Sequence, residues 1–345
     1  MQKLLTIVVP TFNMQAYLKR CLDSLIVEDS LMNRMEVLVI NDGSKDESSL
    51  IAHGYEQRFP GVFRVIDKEN GNYGSCVNRG LLEAEGRFIK ILDADDWFDT
   101  EVFTAYLRRL GGVDEETDLI LTDYTKVDES GTVIRHYTYP IPYDQPFSFQ
   151  EYKGLDYFAH HSLTYRTGLL KQHGYKQTEG ISYTDNEWMY FPQLYVDKSV
   201  YWNLDMYRYL MGREGQTMDP KVQLKGIPQR IIILRRMVEV LNSHKGQPEA
   251  EGMGYERLRS FVLHTSKGIY QTFLVKLDRK DFLADVLKEF DVFLAGKDRE
   301  LYDRIGEESV LKGVPVRYVR FWRRFGRRFP VDALRKVFRR IRYGA

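Results

Sequence analysis

The chain has 345 residues, 43% hydrophobic and 29% charged, with 50 Lys and Arg against 49 Asp and Glu, a composition that fits one large or two modest soluble domains. No apolar stretch approaches the roughly 18 residues needed to span a bilayer, and the apolar core of the opening MQKLLTIVVPTF is too short for a secretory signal. Two cysteines, Cys21 and Cys76, make no disulfide framework, so a reducing cytoplasm is the expected setting.

Through the first 125 residues strand and helix patterns alternate. Residues 4–10 are apolar and β-branched, a strand, and residues 15–26 space Tyr17, Leu18, Cys21, Leu22 and Leu25 as a helix does. Strands follow at 36–41, 62–67, 87–92 and 118–122, with helices at 47–59, 73–84 and 100–110 between them. Such alternation predicts a mostly parallel, Rossmann-like central sheet flanked by helices. Beyond residue 125 the pattern changes: 132–139 is extended, 140–220 is rich in Tyr, His and Trp, and 199–204 and 206–211 read as a pair of strands. Helices are expected at 221–244, 255–277 and 280–295, with a loop at 246–254.

In parallel sheets ligands sit beyond the carboxyl ends of the strands. The first four exits are all polar: Pro10-Thr11-Phe12-Asn13, Asn41-Asp42-Gly43-Ser44, the 68–74 segment with Asn70, Gly71 and Asn72, and Asp93-Ala94-Asp95-Asp96. Four polar exits along one edge point to one pocket. Asp93 and Asp95, two positions apart, suit a shared hard divalent cation and a diphosphate. The competing role is capping of the next helix by Asp96 or Asp99, and Asp99 is assigned to the cap. Asp42 suits a nucleobase imide, or else a turn in which Ser44 or Asp46 caps the helix. Phe12 suits stacking on a base, or plain core packing.

These segments resemble the family 2 glycosyltransferases, whose nucleotide-diphospho-sugar fold is called GT-A. The matching pieces are TIVVPTFN (6–13), CLDSL (21–25), EVLVINDGSKD (36–46), ENGNYGSCVNRGLLEAEGRFIKILDADDW (69–97) and YTDNEWMYFP (183–192). The resemblance covers residues 3–125 closely and 150–215 more loosely. It implies that Pro10, Thr11, Phe12 and Asn13 line a nucleobase pocket, with Phe12 in place of the commoner Tyr. It implies that Asp42 recognises uracil, while Asn41 stands where the family usually has a first Asp. Asn72 and Asn78 match the segment beside the donor. Asp93, Ala94 and Asp95 match the metal-binding Asp-x-Asp, with Asp95 preferred as the direct ligand of Mn2+ or Mg2+. Asp185 matches the acceptor-side acid, the general base of an inverting transfer, with Thr184 at the usual Glu position. Its competing role is an N-cap. Glu187 is the fallback base, and Trp188 and His161 are further acceptor-side candidates. His160, His161 and His173 lack the spacing of a zinc site. Arg213 suits the diphosphate or an acidic acceptor, against a plain surface loop.

The expected organisation is a GT-A catalytic domain at 1–220, split into a nucleotide-sugar half (1–125) and an acceptor half (126–220), then a helical extension at 221–311 and a basic tail at 312–345. Residues 312–342 hold twelve Lys and Arg against Asp332 alone, so the rest of the chain is net acidic. In the tail Val331, Leu334, Val337, Phe338 and Ile341 share one helical face, and Phe321, Trp322, Phe325 and Phe329 stand among arginines. Such a segment suits an anionic membrane surface. Nucleic acid and docking onto the acidic body, its own or that of a second copy in a homodimer, compete.

The expected function is a metal-dependent, hexosyltransferase-type enzyme, peripheral on the inner face of the cell membrane. It would move sugar from a nucleotide-diphosphate donor, a UDP-sugar, to a glycan or lipid-linked acceptor in surface polysaccharide synthesis. A non-catalytic scaffold of the same fold is the alternative that Asn41 favours. A sugar nucleotidyltransferase is another, opposed by Thr11-Phe12-Asn13-Met14, which is no glycine-rich basic loop.

Overall fold

The computed structural model describes residues 3–155, 157–213, 224–277, 284–311 and 316–330. The chain divides into two compact units, Met1–Gln229 with Gln247–Arg257, and Arg230–Gly246 with Leu258–Ala345.

The first unit is built on one mixed sheet. Its strands are β1 (Leu5–Thr11), β2 (Met35–Asn41), β3 (Phe63–Asp67), β4 (Phe88–Ile91), β5 (Trp97–Phe98), β6 (Leu119–Val127), β7 (Val133–Tyr137), β8 (Pro146–Ser148), β9 (Leu163–Arg166) and β10 (Lys198–Leu210). The order is β3-β2-β1-β4-β9-β6-β10-β5, with β7 on β6 and β8 on β10. β1 to β4 pair in parallel. β9 is antiparallel to both β4 and β6, and the two reversals return β6 and β10 to the direction of β1. The exits of β1, β2, β3, β4, β6 and β10 therefore share one edge.

β2 is buried at every position, as expected of a strand covered on both faces. The covering helices of this half are α1 (Leu18–Asp23), α2 (Asp29–Met32), α3 (Ser48–Arg58), α4 (Asn72–Glu83) and α5 (Thr100–Leu110). α4 lies close on β1: a Cβ at Gly80 would come within 2.5 Å of Val8 Cγ1. Asp99 caps α5, accepting from the Val102 N–H at 3.1 Å. Two helices of six residues each follow, α6 (Thr167–Gln172) and α7 (Asp185–Tyr190).

Residues 199–204 and 206–211 are not two paired strands. They form the single strand β10, which runs parallel to β6. Its register shifts between Trp202 and Asp205 and again between Asp205 and Tyr207. A bulge of this kind breaks the in–out alternation, and in sequence the break resembles a turn.

The second unit is helical, with segments at Ala284–Lys297, Arg299–Glu308 and Tyr318–Phe325. Leu287, Phe290, Leu294, Leu301, Ile305 and Trp322 are buried in it. Arg299–Glu308 was not expected from sequence; Asp298 caps it through the Leu301 N–H at 2.9 Å. Much of the described basic tail is held by this unit. Arg317 and Arg320 pair with Glu307, Arg323 pairs with Asp291, and Arg328 donates to the Leu274 and Leu277 carbonyls. Arg324, Phe325 and Arg327 remain exposed. The amphipathic pattern at 331–342 lies outside the described residues. Among the described residues, no helix is long and apolar enough to cross a membrane.

Candidate active site

The loops leaving β1 and β2 are tied together. Asn13 takes a left-handed backbone (φ 53°), its N–H donates to Ser44 Oγ at 3.0 Å, and its side-chain oxygen accepts from the Lys45 N–H at 2.8 Å. Of the residues before it, Thr11 is buried and Pro10 half-buried, while Phe12 is 45% exposed. Asp42 is buried beside them. Its carboxylate accepts from Lys68 Nζ at 2.5 Å and from the Gly71 N–H at 2.9 Å. Asn41 donates to Asp67 at 2.6 Å and accepts from the Ser44 N–H. An Asp at 41 would set two carboxylates against each other, which gives the departure from the family pattern a local structural reason.

The segment after β3 connects this corner to the acids. Lys68 and Gly71 hold Asp42, Asn72 opens α4 with a φ of 63°, and Tyr73 OH donates to Asp93 Oδ1 at 2.8 Å. The other oxygen of Asp93 meets His160 Nε2 at 3.0 Å. Burial pushes Asp93 up, but the His160 charge and the hydrogen bonds from His160 and Tyr73 outweigh it and hold the group below its ordinary value. His160 is lowered by burial and raised more by Asp93 and Asp185, so it favours the imidazolium. Ala94 is buried between the carboxylates. Asp95 pairs with Arg213 Nε at 2.5 Å, which ties the residue beyond β10 to the exit of β4. Asp96 is structural: it accepts from Tyr207 OH at 2.7 Å and the Leu210 N–H at 2.8 Å. Burial, then Asp95 and Asp93, hold it well above the carboxylate range and favour its neutral form.

Asp185 is the first residue of α7 rather than its cap; Thr184 precedes it. Burial and Asp93 raise its pKa against the opposing charge of His160. The four acids act on one ring: the Tyr209 phenol is pushed up by burial and then by Asp96, Asp93, Asp95 and Asp185. Glu187 and Trp188 lie beneath, both fully buried. Glu187 accepts from the Thr178 N–H at 2.6 Å and Thr178 Oγ1 at 2.7 Å. Asn78 grips the same loop from the other side, accepting from the Gln177 N–H at 2.7 Å and donating to Glu179 at 2.8 Å. Trp188 packs edge-on against Tyr165 and Tyr175. His161 is buried among Tyr124, Tyr207 and Tyr209, neither ring nitrogen has a hydrogen-bond partner among the described residues, and burial holds it neutral.

Lys68 and Tyr73 belong to the third polar strand exit, but no sequence motif assigns a role to either side chain. His160 was visible only as one of two adjacent histidines. A separate cavity of about 770 Å³, lined by Arg109, Phe147, Lys198 and Trp202 among others, shares no residue with the acid cluster.

The Glycosyl transferase family 2 model matches residues 6–174. EpsH of Bacillus subtilis, named as a glycosyltransferase, is 35% identical over 119 residues, 34% of this chain and 33% of EpsH. The minor teichoic acid biosynthesis protein GgaB of Bacillus subtilis is 30% identical over 115 residues, 33% of this chain and 13% of GgaB. The chain thus spans about a third of EpsH and less of GgaB. The crystal structure of S. aureus TarS residues 1–349, in complex with UDP-GlcNAc, superposes with a TM-score of 0.62 at 21% identity, covering 94% of this chain and 92% of that one. The fold is GT-A. Through residues 6–174, the chain belongs to glycosyl transferase family 2.

Proposed function

We infer that this chain transfers a sugar, with inversion, from a UDP-sugar to a hydroxyl of a glycan or lipid-linked acceptor, with Asp185 as the base. The observation that carries this is the contact of His160 Nε2 with Asp93 Oδ2 at 3.0 Å, which sets the turn before β9 against the acids at the exit of β4, while the same imidazole feels Asp185. TarS, which shares the fold, is described with UDP-GlcNAc and so supports a UDP-sugar donor.

The donor set fits a hard cation. Asp95 and Asp93 offer carboxylate oxygens, and ligand atoms of Asp93, His160 and His161 lie within 4.8 Å of one another. Mn2+ or Mg2+ held by Asp95, with Asp93 beside it, would supply Lewis-acid stabilisation of the diphosphate leaving group. The chain's own residues do the rest. Phe12 gives the base a stacking face, and the Asp42–Lys68 pair forms the polar floor of that pocket. Asp185 takes the acceptor proton as the acceptor oxygen bonds to the anomeric carbon and the bond to the diphosphate breaks. A carboxylate raised toward neutrality suits that role, and general bases contribute about 10²–10⁴-fold. His160 holds Asp93 in place, and Glu187 and Asn78 fix the loop that precedes Asp185.

A peripheral membrane position belongs to the same proposal. Phe325 is 51% exposed between Arg324 and Arg327, and near an anionic surface each such charge is worth about 1 kcal/mol. Sedimentation with anionic vesicles should fall on deleting residues 312–345; equal sedimentation of the shortened chain overturns the membrane assignment.

The test of the transfer is a panel of UDP-sugars followed for UDP release with Mn2+, with Mg2+ and with chelator. Asp185→Asn should bind donor and lose transfer. Near-normal transfer removes Asp185 as base, and release of pyrophosphate instead of UDP replaces the reaction with nucleotidyl transfer.

A further inference from the structure

Two rows of side chains cross one face of the sheet at the exits of β6 and β10. Register places Tyr137, Tyr124 and Tyr207 side by side across β7, β6 and β10, and Arg135, Lys126 and Tyr209 in the next row. The first row is an aromatic floor. Tyr124 and Tyr137 stack at 4.6 Å with 5° between their planes, and His161 stacks on Tyr124 at 5.0 Å and on Tyr209 at 4.3 Å. The cations lie over it: Lys126 Nζ is 5.1 Å from the Tyr137 ring and 5.4 Å from the Tyr209 ring, and Arg135 is 4.9 Å from the Tyr137 ring.

Lys126 and Arg135 are direct cross-strand partners. Like charges opposed in this way destabilise a sheet. Cation–π contact compensates in part. Yet among the described residues neither cation forms an ion pair with an acid, and Arg135 is exposed on an edge strand. A paired positive charge with no counterion among the described residues, beside aromatic rings, is complementary to an anion carried on a saccharide or polyol backbone. The patch also leads into the acid cluster: Tyr209 in the second row stacks on His161 at 4.3 Å, His161 lies 3.8 Å from the His160 ring, and His160 meets Asp93 at 3.0 Å. Tyr157, 48% exposed, feels Asp185 as well.

We propose that the Lys126–Arg135 pair, with the half-buried Tyr137 and Tyr209 beside it and the buried Tyr124 supporting them, forms the acceptor-binding surface, and that the acceptor is an anionic chain bearing phosphodiester or carboxylate groups. The proposal rests on the transfer reading for the word acceptor, and its chemistry is binding alone. The guanidinium fork and the ammonium suit the anions, the half-buried edges of Tyr137 and Tyr209 border the sugar or polyol between them, and the hydroxyl to be glycosylated then lies toward Asp185.

The test measures binding without donor or metal, using the full chain and three fluorescein-labelled probes: a poly(glycerol phosphate) oligomer, a hyaluronate oligomer and a neutral dextran oligomer. Fluorescence anisotropy should show at least one anionic probe binding far more tightly than dextran and weakening with salt. Lys126→Gln with Arg135→Gln should weaken that binding about tenfold or more, the loss expected for one charge-assisted contact. Lys126→Arg should keep it, and thermal unfolding establishes that each variant folds. The readout involves no turnover, so failure of the base assignment leaves this result standing. Equal binding of dextran, no binding of either anionic probe, or full binding by the double glutamine variant overturns the proposal.

Discussion

His160 Nε2 lies 3.0 Å from Asp93 Oδ2, and the same imidazole feels the charge of Asp185. One cation therefore serves a carboxylate at the exit of β4 and another at the start of α7. It lowers both against the burial that raises them.

The sign of that coupling predicts a pH shift. Asp185 acts as base only when ionised, so kcat/KM should rise with pH through its raised pKa. His160 opposes that rise in pKa. His160→Gln removes the opposing charge, so the acidic limb should move to higher pH. Asp185→Asn should remove the limb. If kcat/KM profiles of wild type and His160→Gln coincide on the acid side, the imidazolium does not tune the base.

Arg213 pairs with Asp95, so it competes with any metal for that carboxylate. Arg213→Ala should tighten donor-free Mn2+ binding, on the order of tenfold for removal of a nearby unit charge, while Asp95→Ala should weaken it severely. Titration followed by Mn2+ electron paramagnetic resonance reads this without turnover. An unchanged affinity in Arg213→Ala rules out the competition.

The parallel half was readable because its strands are continuous apolar runs separated by amphipathic helices, and each run ends in polar residues. Asp99 was readable as a cap because the rule is local. The acceptor half was less so. β5 is two residues long, and β9 enters the sheet antiparallel between β4 and β6 with no local sign of where it pairs. The bulge in β10 disguised one strand as two. Contacts between distant positions, such as His160 with Asp93, leave no pattern in a single sequence. Glu187 and Trp188 illustrate the converse: they flank Asp185 in the chain, yet helical geometry turns both into the interior.

The Asn41 to Asp67 hydrogen bond of 2.6 Å yields a stability prediction. Asn41→Asp would replace a donor by a second carboxylate, with loss of a hydrogen bond to a charged group worth about 1.5–3 kcal/mol. His53 and Ser49, which also bind Asp67, would offset part of the repulsion. Urea unfolding at neutral pH should show the loss, and Asn41→Asp combined with Asp67→Asn should recover most of it. If the single variant is as stable as wild type, position 41 is not fixed by this contact.

Lys90 is fully buried in the middle of β4, where Nζ donates to the His161 carbonyl at 2.7 Å and the Leu163 carbonyl at 3.3 Å. These bonds hold the turn that carries His160. Burial lowers its pKa from 10.5 to about 7. Between those values the unfolded chain keeps a proton that the folded chain has released. Stability from this group therefore rises with pH across that window, by at most about 1.4 kcal/mol per unit. Below pH 7 both states are protonated and the slope vanishes. Lys90→Met cannot titrate, so its urea midpoint should lack this rise between pH 7 and pH 9, whatever the cost of the two carbonyls it leaves. Parallel curves for wild type and Lys90→Met over that range would show that the buried ammonium keeps its proton in the folded protein.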